Sequence, residues 1–253
     1  MYYIGIDIGS TCAKTAVLGE NREIIDTFTL PTGWSSVDTA ETIRKSLEEK
    51  GYLSDETRIV STGYGRVAVP YSDKTVTEIT CHALGASQIF GTKDLMVIDI
   101  GGQDTKVILV EGGMVSDFFM NDKCSAGTGR FLEVMANTLA MRPDELCAMA
   151  KLGGGTSISS LCTVFAESEV ISLIGRGEKK ENIAFGVVDS IVRKVATQAA
   201  RLDPKGRKVV LTGGLCECEY ICDALAKELK TPVETSPMAR YAGAVGAALC
   251  AMK

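Results

Sequence analysis

Two aspartates, Asp7 and Asp99, have matching surroundings although 92 positions separate them. Each ends an apolar run, has a glycine two residues later and a lysine seven residues later, which are Lys14 and Lys106. Glycine lets backbone N–H groups approach an anion closely, and a carboxylate at a strand end can hold a cation through water. The pair of Asp-x-Gly turns therefore predicts a site for ATP with Mg²⁺.

The residues of these turns define the candidate site. In turn 1 (residues 9–14) the expected phosphate contacts are Gly9, Ser10, Thr11, Cys12, Ala13 and Lys14. In turn 2 (residues 101–106) they are Gly101, Gly102, Gln103 and Asp104. The candidates for holding Mg²⁺ or orienting an attacking water are Asp7, Asp99, Gln103 and Asp104. Gly213 and Gly214 end another apolar run, where a flat base can lie against bare backbone.

A glycine turn taken alone is more typical of a tight turn than of a nucleotide site. Turn geometry does not require a carboxylate before the glycine or a lysine after it. The repetition of both at the same offsets therefore favours the functional interpretation.

The elements around the turns predict an α/β fold. Each turn joins two apolar runs, 3–8 with 15–18 and 95–100 with 107–110, so each copy is predicted to be a β-hairpin. Further strands are predicted over 23–30, 58–61, 114–120 and 208–211. Helices are predicted over 37–50, 78–90, 129–140, 143–151, 163–176, 180–202, 218–229 and 240–252.

Alternating strands and helices with an internal repeat indicate two related lobes with the ligand in the cleft between them. We expect residues 1–92 to form lobe I, with the C-terminal helix 240–253 packing back on it. Residues 93–239 are expected to form lobe II. A bound γ-phosphate would bridge the lobes, so their relative angle is expected to change on hydrolysis.

Composition excludes several other classes. The 253 residues carry a formal net charge of −5 with lysines and arginines interspersed, which argues against a nucleic-acid partner. No apolar run approaches the roughly 18 residues that span a bilayer, and Asp7 interrupts the position of a signal peptide, so no membrane partner and a cytoplasmic location are expected. Nine cysteines with one histidine point to metal or redox chemistry rather than to a mixed zinc site.

The chain resembles the actin-like ATPase superfamily, which includes Hsp70 and sugar kinases, in the order of its two phosphate segments and its adenosine segment. That resemblance implies duplicated ribonuclease-H-like domains. Within the superfamily it is closer to the activator ATPases of 2-hydroxyacyl-CoA dehydratases, the BadF/BadG/BcrA/BcrD type. The resemblance covers nearly the whole chain, and the segments that carry it are 62–66, 99–104, 121–131 and 162–169.

The resemblance implies a homodimer that shares one [4Fe-4S] cluster and uses ATP hydrolysis to drive an electron into a 2-hydroxyacyl-CoA dehydratase. It also implies a ferredoxin or flavodoxin as electron donor and sensitivity to oxygen. Cys124 and Cys162 are the implied cluster ligands. Both precede predicted helices, whose positive ends stabilise thiolates. A cubane takes four thiolates, and two per chain complete the set across a two-fold axis.

Other interpretations stay open. Cys124 and Cys162 can be small core residues at helix starts. The fold also suits a small-molecule kinase, such as a short pantothenate kinase, or an ATP sensor without catalysis. Cys216, Cys218 and Cys222 are expected to be structural, with a second metal site or redox sensitivity as the alternative. The remaining candidates for simple packing are Cys81, Cys147 and Cys250.

Overall fold

The computed structural model describes residues 1–204 and 206–253. Its strands are β1 Tyr3–Ile8, β2 Cys12–Leu18, β3 Ile24–Pro31, β4 Arg58–Thr62, β5 Lys74–Thr75, β6 Leu95–Ile100, β7 Thr105–Glu111, β8 Met114–Asn121, β9 Lys208–Gly213 and β10 Val233–Glu234. Its α-helices are α1 Ser36–Glu49, α2 Glu78–Phe90, α3 Gly129–Thr138, α4 Pro143–Ala150, α5 Thr163–Gly175, α6 Lys180–Ala199, α7 Glu219–Leu229 and α8 Ala242–Ala251. Short 3₁₀ turns cover Arg66–Ala68 and Ala239–Tyr241.

The strands form two sheets with the same internal order. The first runs β3-β2-β1-β4-β5 and the second β10-β9-β6-β7-β8. Reversing the second gives β8-β7-β6-β9-β10, so every strand of one copy has a counterpart in the other. In the first sheet β1 pairs antiparallel with β2 and parallel with β4. The predicted α/β fold with a duplicated unit is confirmed.

The predicted elements agree with the structure apart from three features. Strands β5 and β10 are only two residues long, too short for an apolar pattern to reveal them. The predicted closing helix over 240–252 is wrong at its start, because the chain forms the 3₁₀ turn Ala239–Tyr241 before α8 begins. Helix α6 ends three residues before the predicted Leu202.

The chain divides into two compact units. Unit 1 comprises Met1–Val97, Ile108–Phe118 and Met238–Lys253, and unit 2 comprises Ile98–Val107 and Phe119–Pro237. In unit 1, alternate residues of β1 (Ile4, Ile6 and Ile8) pack with Ile43 and Leu47 of α1. On the opposite face α8 lies so close to β1 that a Cβ at Gly5 would collide with the Ala244 carbonyl oxygen. Small residues therefore let the C-terminal helix pack directly on the strand that leads to turn 1.

Unit 2 is built around the long helix α6, which contacts α3, α4, α5 and α7. Its apolar side chains, including Val187, Val188 and Ile191, are fully buried. Strand β9 is buried over Val209–Gly213. It ends at the predicted adenosine glycines, Gly213 and Gly214. Within the described part of the chain, no helix is long and apolar enough to span a bilayer.

Candidate functional site

Turn 1 is closed by its own backbone and braced by Thr32. The Gly9 N–H donates to the Cys12 carbonyl oxygen at 3.1 Å. Thr32 donates its hydroxyl to the Gly9 carbonyl at 2.7 Å and its N–H to the Thr11 carbonyl at 2.9 Å. The N–H groups of Ser10 and Thr11 donate to no other described residue. Turn 1 therefore holds two unsatisfied donors in a fixed loop, which is the arrangement that binds an anion.

Asp7 lies directly behind this turn and is only 5% exposed. Gly63 follows β4 with a φ of +84°, and a Cβ there would collide with the Asp7 carboxylate and with the Ile8 carbonyl. The His82 Nε2 atom lies 3.9 Å from Asp7 Oδ2. A bare glycine backbone is thus required beside the carboxylate, which leaves Asp7 a narrow, defined position.

Turn 2 repeats the geometry of turn 1. The Gly101 N–H donates to the Asp104 carbonyl at 2.9 Å, while the N–H groups of Gly102 and Gln103 have no acceptor among the described residues. Turn 2 also has a feature that turn 1 lacks. The N–H groups of Gly129 and Arg130, at the start of α3, donate to the Gly101 and Gly102 carbonyls at 2.9 and 2.7 Å.

Asp99 belongs to a buried charged network. The Lys106 ammonium lies 3.2 Å from Asp99 Oδ2 and 2.8 Å from Asp104 Oδ2. Thr212 donates its hydroxyl to Asp99 Oδ1 at 3.0 Å. Asp99 and Lys106 are each only 2% exposed. The structure therefore brings the sequence-predicted residues Asp99 and Asp104 together, and it adds Lys106 as the cation that compensates them.

Gly213 occupies the position in unit 2 that corresponds to Gly63 in unit 1. Its φ is +86°, and a Cβ there would collide with the Ile100 carbonyl and approach Asp99 Oδ1. The next N–H, that of Gly214, donates to the Ile100 carbonyl at 3.1 Å. Thr62–Gly63 and Thr212–Gly213 are therefore a second repeated element, which sequence reasoning treated as two unrelated motifs.

A cavity of about 500 Å³ opens beside Gly214 within unit 2. Its walls are the residues of α4, the segment from Gly214 to the start of α7, and Leu132 of α3. The predicted adenosine glycine Gly214 lines this cavity. Its size and its largely apolar wall suit a flat aromatic group.

Cys124 and Cys162 are both exposed, so the interpretation that they are core residues is wrong. Cys162 is the N-cap residue of α5, as predicted from its position before that helix. The residue after each cysteine contacts the other segment, because the hydroxyls of Ser125 and Thr163 are hydrogen-bonded at 2.6 Å. The two thiols therefore lie on adjoining exposed loops of unit 2.

The loop before Cys162 is held by Glu169. Its carboxylate accepts hydrogen bonds at 3.1 Å from the N–H groups of Ser159 and Ser160 and from the Ser159 hydroxyl. Burial raises the pKa of Glu169, but these bonds outweigh it and the net shift is downward. Glu169 thus stays ionised and fixes the approach of the chain to Cys162.

A continuous set of hydrogen bonds connects the loop of Cys124 with turn 2. Thr128 bonds the Ser125 carbonyl through its hydroxyl at 2.7 Å, and Thr105 donates to the Gly127 carbonyl at 2.7 Å. Sequence reasoning assigned the positive end of α3 to the thiolates. In the structure the first N–H groups of α3 are instead used by the turn 2 carbonyls, so the helix start couples turn 2 to the cysteine loop.

Four of the other cysteines form two pairs that the sequence did not reveal. Cys147 and Cys250 are buried as predicted, and the pKa of each is shifted by a neighbouring cysteine, Cys218 and Cys81 respectively. Cys222 donates to the Val233 carbonyl at 3.1 Å. No three His, Cys, Asp or Glu side chains among residues 1–204 and 206–253 are placed to share a metal ion. Among these residues, Cys216, Cys218 and Cys222 are therefore not placed together as a set of metal ligands.

Two sheets of equal strand order, each beginning with an Asp-x-Gly hairpin, define the class as the actin-like fold that sugar kinases share. A ROK family glucokinase from Streptomyces griseus has this fold, with a TM-score of 0.63 at 16% identity over 99% of each chain. The chain belongs to the BadF/BadG/BcrA/BcrD ATPase family, whose profile matches residues 4–251.

Two relatives within this family are similar over essentially the whole chain. The (R)-2-hydroxyglutaryl-CoA dehydratase activating ATPase of Acidaminococcus fermentans is 43% identical over 100% of this chain and 98% of its own. The activator of the 2-hydroxyisocaproyl-CoA dehydratase from Clostridium difficile, solved with bound ADPNP, has a TM-score of 0.92. It is 38% identical over 100% of this chain and 94% of its own.

Proposed function

We propose that this protein is the ATP-driven activator of a 2-hydroxyacyl-CoA dehydratase, to which it passes single electrons. The family membership and the names of the two relatives support the activator over a small-molecule kinase. The observation that carries the proposal is the pair of exposed thiols, Cys124 and Cys162. Their loops are hydrogen-bonded to each other, and the loop of Cys124 is hydrogen-bonded to turn 2. A kinase has no use for these thiols.

Each turn offers N–H groups to a phosphate. The N–H groups of Ser10 and Thr11 in turn 1, and of Gly102 and Gln103 in turn 2, serve as phosphate donors because no described residue accepts from them. Lys14 offsets phosphate charge, and the rest of turn 1 (Gly9, Cys12, Ala13) supplies backbone. The cavity beside Gly214 takes the nucleoside. Its fit to a flat base supports Gly213 and Gly214 as the adenosine segment.

Asp7 of unit 1 and Asp99 of unit 2 each fit a role in holding Mg²⁺ through water, because each is a carboxylate fixed by neighbouring glycine backbone. When bound, Mg²⁺ would neutralise the charge that develops on the transferred phosphoryl group. Gln103 and Asp104 orient the attacking water from turn 2. Asp104 also contacts Lys106, which holds its carboxylate in place.

Replacing either carboxylate tests this assignment. We expect Asp7→Asn and Asp99→Asn each to lower the rate of ATP hydrolysis by about a hundredfold, since the acid–base and metal contributions of one group are of that order. Phosphate release at saturating ATP is the measurement. Asp55→Asn, an exposed carboxylate, is the matched control. A rate within twofold of the parent in both variants would contradict the assignment.

Cys124 and Cys162 fit two of the four thiolate ligands of a [4Fe-4S] cluster. Both are exposed and adjoining, and within the described residues one chain offers no third ligand beside them. A second copy of the chain would supply the other pair across a two-fold axis. Such a cluster supplies reversible single-electron storage. Ser125, Thr163 and Glu169 fix the two loops that carry the ligands.

The exposed surface of α5 supports the homodimer. Apolar side chains on one half of this helix and just before it are between 45% and 67% exposed: Leu161, Val164, Phe165, Ile171 and Ile174. Water-exposed apolar surface of this extent marks a protein–protein contact. Because Cys162 is the N-cap residue of α5, burying this surface against a second copy would bring the Cys124 and Cys162 of that copy close to those of the first.

A charge within that surface is expected to abolish the dimer. We expect Phe165→Asp to convert the protein to a monomer and, with it, to remove the iron, since each chain alone has too few ligands. Sedimentation and iron content are the measurements. Val67→Asp is the control, because Val67 is exposed by 82% in unit 1 and is not part of the α5 surface. A dimeric, iron-containing Phe165→Asp protein would overturn the assignment of this surface.

An activation assay tests the function as a whole. Purified anaerobically and reduced by a ferredoxin or flavodoxin, the protein is expected to switch on an inactive 2-hydroxyacyl-CoA dehydratase when ATP is present. Water loss from the acyl-CoA is the readout. ATP consumption that instead requires a small molecule, and converts that molecule to its phosphorylated form, would establish the kinase interpretation.

A further inference from the structure

Two cysteines line the wall of the cavity beside Gly214. Cys147 comes from the middle of α4 and Cys218 is the N-cap residue of α7, and both line the cavity. The two helices are in contact. Each of the two cysteines shifts the pKa of the other, as neighbouring thiols do. The pair is separated by 71 positions in the sequence and is made only by folding.

The surroundings of Cys218 favour its thiolate. The hydrogen bond from Cys147 lowers the pKa of Cys218 to about 7, with further help from the N–H groups of Ile221 and Tyr220 and from the Lys151 ammonium. The same hydrogen bond raises the pKa of Cys147. A thiolate beside a thiol is the starting state for disulfide formation, because the thiolate is the nucleophile that attacks the oxidant.

We propose that Cys147 and Cys218 form an oxidisable thiol pair whose disulfide narrows the nucleoside cavity and weakens nucleotide binding. The effect on nucleotide rests on the proposed function, which places the nucleoside in this cavity. The disulfide itself does not.

The reaction balances with hydrogen peroxide as oxidant. The Cys218 thiolate attacks one peroxide oxygen, forming a sulfenic acid and releasing hydroxide. The Cys147 thiol then attacks the Cys218 sulfur, the S–S bond forms, and the sulfenic oxygen leaves as water with the thiol proton. Two thiols are oxidised and one peroxide is reduced to water. A dithiol reductant reverses the step by thiol–disulfide exchange.

The consequence for the cavity follows from the length of the new bond. Two sulfurs that are not yet bonded must approach to about 2.05 Å, which pulls α4 towards the start of α7. Both elements line the cavity, so this movement narrows it. A base bound against this wall covers the thiols, so nucleotide and disulfide oppose each other. By linkage, the disulfide lowers nucleotide affinity by the same factor by which bound nucleotide lowers the equilibrium constant of disulfide formation. A factor of roughly ten is typical of such coupling.

Peptide mapping tests the pair without any nucleotide. Trypsin releases residues 131–151, with Cys147 as the only cysteine, and residues 209–227, with Cys216, Cys218 and Cys222. After peroxide, we expect these two peptides to be joined through Cys147 and Cys218, and a dithiol reductant to separate them. Cys222→Ser is the control and retains the cross-link, because Cys222 is bonded to the Val233 carbonyl. No cross-link, or one made through Cys216 or Cys222, would overturn the proposal.

Binding of a fluorescent ADP analogue tests the effect on the site. Each protein is compared with itself before and after oxidation, so the intrinsic affinity of a variant does not matter. We expect about a tenfold rise in Kd for the parent and for Cys222→Ser, and none for Cys147→Ser or Cys218→Ser. A rise that persists in both of these variants would overturn the proposal. Reduced parent protein that binds no ADP analogue would instead contradict the proposed function and leave the peptide mapping intact.

Discussion

A variant carrying Cys124→Ser and Cys162→Ser is expected to be colourless, to contain no iron and to pass no electron to a dehydratase, while still hydrolysing ATP. Serine keeps the shape of the two loops but removes both thiolate ligands that a chain contributes. The hydrogen bonds that shape turn 2 do not involve either sulfur. Iron analysis, visible absorbance and phosphate release are measured on the same anaerobic preparation.

The control for this variant is Cys222→Ser, which removes a buried sulfur that bonds the Val233 carbonyl. We expect it to retain full iron. A double variant at Cys124 and Cys162 that keeps its full iron would contradict the ligand assignment. A double variant that loses ATP hydrolysis in step with its iron would contradict the separation between the nucleotide site and the electron site.

Lys106→Met is expected to lower the free energy of unfolding by about 3–5 kcal/mol, because it leaves Asp99 and Asp104 without their shared cation. Both Asp99 and Lys106 are almost wholly buried, so a charge left there without its partner is costly. Denaturant unfolding followed by circular dichroism measures the change. Adding Asp104→Asn to Lys106→Met is expected to restore part of the loss, since one unpaired charge is then removed.

Lys208→Met is the matched control in the same sheet. Lys208 pairs with Glu234 at 3.0 Å, but the side chains are 36% and 51% exposed. An ion pair of this kind contributes at most about 1 kcal/mol. Equal losses in the Lys106 and Lys208 variants would mean that burial of the Asp99 network does not carry the stability assigned to it.

The sequence was sufficient for the duplicated fold because the signal lies in local patterns. Apolar runs joined by an Asp-x-Gly turn predict a hairpin wherever they occur, and the second copy repeats the first. The hairpins, the position of Cys162 before a helix and the family were therefore predictable. Two-residue strands such as β5 carry no such pattern.

Features of the site that depend on distant contacts were not predictable. The match of Gly63 with Gly213 is recognisable only once both are seen at the end of a parallel strand beside a carboxylate. The pairing of Cys147 with Cys218 joins two helices of unrelated local pattern. Lys106 was recognised as part of the repeat, but its ion pairs with Asp99 and Asp104 were not predicted, although a lysine inside the apolar run of β7 requires a buried anion.

The α3 start illustrates how a correct element can be given the wrong role. A helix N-terminus after Cys124 was predicted, and its positive end was assigned to the thiolate. Instead the N–H groups of Gly129 and Arg130 bond the carbonyls of turn 2. These hydrogen bonds join turn 2 to the loop that carries Cys124 and are the physical path for the proposed coupling.

In the proposed function, ATP hydrolysis drives an electron from the site of Cys124 and Cys162 into a dehydratase. Rapid mixing of the reduced protein with a dehydratase, followed by visible absorbance, tests this transfer most directly. We predict oxidation of the protein only when ATP is present, and none with ADP or with the non-hydrolysable analogue ADPNP. Oxidation at the same rate without nucleotide would contradict the claim.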